Sequence, residues 1–148
     1  MKLEKVIKSK FSNEWGKVVV NTIYTGNLLT EMTMDTLKPY NLNDQHFNIL
    51  RILRGKHPEC ASPGHIKEVL LNKRGDLTRL TDKLVKMGYV ERYINPENRR
   101  MVNLKITQAG LDVVKLLSSK MTHIDFIKDN LTQAEAKQLN ELLDKLRG

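Results

Sequence analysis

A chain of 148 residues has room for about one domain-sized core, and 25 Lys and Arg against 17 Asp and Glu give it a formal net charge of +8. That excess points to an anionic partner, nucleic acid first and a membrane surface second. A lone cysteine, Cys60, excludes an intrachain disulfide; no run approaches the roughly 20 apolar residues of a membrane span, and residues 1–10 lack the apolar stretch of a signal peptide, so a soluble, cytoplasmic protein is expected.

Residues 12–38 support one long helix with an imperfect apolar stripe, Trp15, Val18, Val19, Ile23, Leu29, Met32 and Leu37. Pro39 ends it by disfavouring helix in the residue before it. Asn43 is a candidate N-cap for a second helix carrying His46, Phe47, Ile49, Leu50 and Leu53, with Gly55 expected to stop it. Ser62 and Pro63 open a short third helix, with Ile66, Val69 and Leu70 as its buried face. After the polar break Leu71-Asn72-Lys73, a fourth helix repeats Leu77, Leu80, Leu84 and Met87 at steps of three, four and three, with Gly88 placed to end it. Asn72 is the candidate for its N-cap.

The period then shortens to two. Residues 89–94 and 101–106 are strand-prone, and Asn95-Pro96-Glu97-Asn98-Arg99-Arg100 between them suits a hairpin tip. Thr107 caps a fifth helix expected to reach Lys128, with the stripe Val114, Leu117, Met121 and Ile124. Thr132 and Glu135 form a capping box for a sixth, whose stripe is Ala136, Leu139, Leu143 and Leu146. The expected fold is mainly α with a small β-hairpin wing, a winged helix-turn-helix. Its parts are 1–38, an N-terminal dimerisation helix; 39–107, the winged helix-turn-helix; and 108–148, the C-terminal dimerisation helices.

Charge and pattern converge on one stretch. Residues 67–105 hold ten basic and five acidic side chains, so more than half of the net charge lies there. On a wheel of about 100° per residue, the fourth helix sets Gly75, Thr78, Arg79, Asp82 and Lys86 opposite its leucine stripe, with Arg74 and Lys83 on the flanks. Arginine pairs with guanine edges and threonine offers a hydroxyl and a methyl, while Gly75, expected in the first turn, lets backbone approach a phosphate. Arg99 and Arg100 at the tip suit a narrow, electronegative minor groove. Lys73, Arg74, Gly75, Thr78, Arg79, Lys83, Arg99 and Arg100 are therefore the expected contacts to double-stranded DNA.

The run LTRLTDKLVKMGYVER at residues 77–92, followed by NPENRRMVNLKITQAG at 95–110, resembles the DNA-binding core of the MarR family of bacterial transcription regulators. LKPYNLNDQHFNILRIL upstream and LTQAEAKQLNELLDKL downstream resemble the family's other helices in order and spacing. The resemblance implies a homodimer held by both chain ends, recognition helices in major grooves, wings in adjacent minor grooves, and a ligand-responsive repressor on a pseudo-palindromic operator. It also implies a small aromatic effector, for which Trp15, Tyr24, Tyr40 and Phe47 are the candidate lining residues. Asn98 stands where the family's wing commonly has an Asp two residues before its arginine, here Arg100; a neutral amide holds an arginine less firmly than a carboxylate does.

Other classes are disfavoured. His57, Glu59, Cys60 and His65 lie near one another without the spacing of a metal site, so no metal or cofactor is expected. No catalytic motif is present, so an enzyme is not expected. A winged helix that docks protein without reading DNA is the alternative, and the cationic face Arg74, Thr78, Arg79 and Lys83 opposes it.

Overall fold

The computed structural model describes residues 1–98 and 100–148. Its contacts group the chain into two compact units, one formed by Met1–Thr33 with Thr122–Gly148, the other by Met34–Met121.

The first unit holds α1 (Leu3–Ile7), most of α2 (Glu14–Leu37), α7 (His123–Asn130) and α8 (Gln133–Arg147). α2 starts at Glu14, two residues after the expected Ser12, because the Asn13 side chain accepts the Gly16 N–H at 2.8 Å. α1 is too short to show a period in the sequence; Glu4 on it pairs with Lys17 of α2 at 2.7 Å. The Thr132–Glu135 capping box forms at the head of α8 as expected. Trp15, Val19, Ile23, Ile124, Leu139, Leu142 and Leu146 all remain exposed in the single chain.

The second unit is built around α3 (Asp44–Lys56), α4 (Pro63–Val69), α5 (Leu77–Lys86), the antiparallel pair β1 (Val90–Ile94) and β2 (Val102–Ile106), and α6 (Gln108–Lys120). Leu37, Ile49, Leu50, Leu53, Ile66, Leu84, Val114 and Leu117 are completely buried. They come from helices that each present one apolar stripe, so packing these stripes together removes them all from water. Ala61 bridges to Leu104, adding a short third edge to β2. Ser62 and Thr107 cap α4 and α6 as expected.

Four expectations are corrected. α3 runs through Gly55 to Lys56 and ends at His57, so Gly55 does not stop it. Val69 is 44% exposed while Ile66 and Leu70 are buried, leaving a narrower apolar face on α4. The long fifth helix is two: α6 ends at Lys120, the Met121 N–H closes on the Ser118 carbonyl, and α7 begins at His123. Leu117, expected with the chain ends, lies in the core of the second unit. The contact units meet at 33/34 and 121/122, and Val113, Val114 and Leu117 bury α6 in the winged lobe.

His46 is 5% exposed, and its role is local. Its Nδ1 accepts the Asn43 N–H at 3.1 Å while Asn43 Oδ1 accepts the His46 N–H at 2.9 Å, a reciprocal cap for α3. Burial first, then the nearby Lys83 ammonium, lowers its pKa from the ordinary 6.5, with Asp44 opposing. A group whose pKa is lower in the folded state binds fewer protons there. Its contribution to stability is therefore full above the unfolded value and is lost as pH falls through the folded one. Melting temperature should decline between pH 7.5 and 5.5, and His46→Gln, which keeps an acceptor for the cap, should flatten that decline. Parallel declines in the two proteins would show that His46 is not the group responsible.

Candidate nucleic-acid interface

α5 begins at Leu77 because Asp76 caps it, its carboxylate accepting the Arg79 N–H at 3.3 Å. Asn72, the cap expected from sequence, instead accepts the Arg74 N–H at 3.1 Å within the preceding turn. Lys73, Arg74 and Gly75 therefore lie ahead of the helix and not in its first turn. Gly75 is half-buried, and a Cβ there would meet the Gln45 side chain at 2.5 Å.

Leu80 and Leu84 anchor α5 in the core, and Thr81 is buried with its hydroxyl donating to the Leu77 carbonyl at 2.9 Å. The opposite face leaves Thr78 and Arg79 exposed, beside exposed Lys73 and Arg74. Asp82, the acid on this face, pairs with Arg92 of β1. The pair offsets a charge that would repel phosphate, and it ties the helix to the hairpin. Lys83 is half-buried and donates from Nζ to Asn41 Oδ1 at 3.0 Å. The contact ties α5 to the turn after α2 at the surface and engages the Lys83 ammonium, whereas Lys73, Arg74 and Arg79 are exposed. A cleft of about 360 Å³ opens between α5 and the hairpin, lined by Leu77, Thr78, Asp82, Arg92, Val102 and Leu104 among others.

α5 ends in a motif that only a left-handed residue closes easily. Gly88 has φ +75°, its N–H meets the Val85 carbonyl, and the Tyr89 N–H reaches back to the Leu84 carbonyl. The chain passes at once into β1, so helix and wing are joined without a flexible linker. At the tip, Asn95 Oδ1 accepts the Glu97 N–H at 2.9 Å and Asn98 Oδ1 accepts the Arg100 N–H at 3.2 Å. Asn98 thus holds the main chain of Arg100, whose side chain is exposed. Arg99, also expected to contact DNA, lies outside the described residues.

Residues 42–102 match the MarR family. Over 113 residues the chain is 34% identical to the multiple antibiotic resistance protein MarR of Escherichia coli K12, covering 74% of this chain and 76% of that protein. Over 115 residues it is 30% identical to the HTH-type transcriptional regulator PapX of Escherichia coli, covering 77% and 70%. The chain belongs to the MarR family. The family's winged helix-turn-helix is also the fold of this chain. A mutant MarR of Escherichia coli complexed with operator DNA aligns with a TM-score of 0.77 at 28% identity, over 93% of this chain and 99% of that one. The Staphylococcus aureus MepR–DNA complex shares the fold with a TM-score of 0.75 at 15% identity, over 93% and 97%. Both sequence relatives are named for regulation of transcription or antibiotic resistance, and the family is one of regulators, not enzymes.

In this MarR-family chain the four aromatics expected around an effector divide between the units. Trp15 is 83% exposed and Tyr24 is exposed, both on α2 in the first unit. Tyr40 and Phe47 belong to the second, where Phe47 is buried in the core and the Tyr40 hydroxyl accepts from Lys120 Nζ at 2.6 Å. Sequence reasoning missed Asp82–Arg92, since the partners lie on different elements. It also passed over Gln45 and Asn48, polar positions on a helix read only for its apolar stripe. No helix among the described residues is long and apolar enough to cross a membrane.

Proposed function

We propose that this chain is a sequence-specific, double-stranded-DNA-binding repressor that acts as a homodimer on a pseudo-palindromic operator and responds to a small aromatic effector. The observation that carries this reading is the outward face of α5. Thr78 and Arg79 are exposed there, Lys73 and Arg74 flank them, and Arg92 offsets the one acid on the same face. Such a face suits base edges at its centre and phosphates at its margin. The relative bound to operator DNA supports the same use of the fold.

Dimerisation is supported by the apolar side chains that the first unit leaves in solvent, Trp15, Val19, Leu139, Leu142 and Leu146 among them. Apolar surface gathered in this way is covered by a partner far more often than it is left wet. A two-fold dimer then dictates a two-fold site, with half-sites about one helical turn apart. An effector would act by preferring one spacing of the two recognition helices over another.

Two measurements test the proposal. Sedimentation at micromolar concentration should give twice the chain mass. Duplexes enriched from a random pool should contain an inverted repeat and lose affinity steeply with salt, as phosphate contacts require. A monomer that retains no duplex from the pool would overturn it.

A further inference from the structure

The turn at residues 71–76 follows the buried Leu70 and enters the recognition helix without a regular hydrogen-bond ladder of its own. It also projects Leu71, 88% exposed, so apolar burial at that residue does little to hold its shape. Side chains of α3 hold it instead. Asn48 Oδ1 accepts the Leu71 N–H at 3.0 Å. One helical turn earlier on the same face, Gln45 Nε2 donates to the Asn72 carbonyl at 3.4 Å. Gln45 also packs so closely on Gly75 that a Cβ there would displace it. Between these anchors, Asn72 folds its side chain onto the Arg74 N–H. Exposed Lys73 and Arg74 therefore sit on backbone whose fixed points belong to another helix.

We propose that Asn48 and Gln45 are positioning residues, which hold this turn so that Lys73 and Arg74 meet the phosphate strand beside the recognition helix. The inference rests on the DNA-binding reading above and adds to it how two of the phosphate contacts are prepared. A turn already ordered in the free protein loses little backbone freedom on binding, whereas an unanchored one must be ordered at the expense of affinity. Asn48 and Gln45 touch no DNA in this scheme; they act through the two cations.

That indirect action is what a double-mutant cycle detects. The probe is the duplex most enriched from the random pool. Asn48→Ala should bind it about fivefold more weakly, the usual scale for one lost hydrogen bond, with hydrogen exchange at the Leu71 amide accelerated and the melting temperature lowered by no more than the few degrees that one such bond is worth. In a Lys73→Ala/Arg74→Ala background the same substitution should cost nothing, because the residues it acts through are gone. Should Asn48→Ala melt early, Gln45→Ala is read in the same cycle. An equal loss in both backgrounds would mark a general structural effect and overturn the inference, as would unchanged affinity. A protein that binds through Arg79 yet ignores Asn48 and Gln45 overturns this inference alone. If the unaltered protein binds no duplex, the DNA-binding reading fails and this inference with it.

Discussion

Arg79→Ala is expected to bind the preferred operator about 1–3 kcal/mol more weakly and to accept a wider set of sequences. Arg79 lies in the first turn of α5, on the face away from Leu80 and Leu84, and its side chain is exposed. A planar, five-donor guanidinium there can pair with two acceptors of one guanine, and no other base offers the same pair of acceptors. Loss of such a contact therefore falls on discrimination as well as affinity. Fold stability should change by less than about 0.5 kcal/mol, the usual range for surface positions. The helix cap survives, because Asp76 bonds the Arg79 main-chain N–H and not its side chain. Titrating the mutant on the preferred duplex and on one with its guanines exchanged separates the possibilities. Equal losses on both, with a salt slope shallower by about one unit, would reassign Arg79 to a phosphate. Full affinity with unaltered preference would show that another face of α5 meets the DNA.

Much of the winged lobe was legible because its elements repeat their chemistry at the period of their own backbone. Leu77, Leu80, Leu84 and Met87 announce α5, and Val102, Leu104 and Ile106 announce the inward side of β2. The caps at Asn43, Ser62, Thr107 and Thr132 were legible for a similar reason, since each acts within three residues of itself. The break at Met121 and Thr122 was not. Neither glycine nor proline stands there, and Ile124 extends the stripe of Val114 and Leu117 at helical spacing. That stripe nevertheless serves two compact units: Val114, Leu117 and Met121 are buried in the winged lobe, while Ile124 belongs to the other and is exposed. Periodicity reports that a face is apolar and not what it packs against. The same gap hid the anchors of the recognition turn, because Asn48 and Leu71 are 23 positions apart. It also misplaced Gly75, whose position ahead of the helix depends on Asp76 prevailing over Asn72 as the cap.

Two helical glycines should respond to alanine with opposite signs. Gly55 in α3 is exposed, and a Cβ there would meet nothing within 4 Å. Gly55→Ala should stabilise by about 0.5–1 kcal/mol, from the better helix propensity and smaller unfolded-state freedom of alanine. Gly110, in the first turn of α6, is buried, and its Cβ would stand 2.3 Å from the Tyr89 carbonyl oxygen and 2.6 Å from Ile106 Cγ1. The oxygen cannot yield cheaply. It accepts the Thr107 N–H at 3.0 Å, and Tyr89 is itself tied back to Leu84 at the end of α5. Thr107 closes the same corner, donating to the Gly88 carbonyl at 2.7 Å while its hydroxyl oxygen accepts the Gly110 N–H at 3.1 Å. Relief of the clash must therefore displace the junction of α5 with β1, or the start of α6, against several hydrogen bonds. Gly110→Ala should destabilise by about 2–3 kcal/mol, toward the upper end for overpacking because the obstacle is backbone. Urea unfolding of the three proteins measures both shifts as changes in midpoint at constant slope. The displaced junction also sets the angle between recognition helix and wing, so Gly110→Ala should lose operator affinity even where it remains folded, and Gly55→Ala should keep it. A Gly110→Ala protein as stable as the unaltered one, with full affinity, would show that this corner yields where its hydrogen bonds say it is rigid.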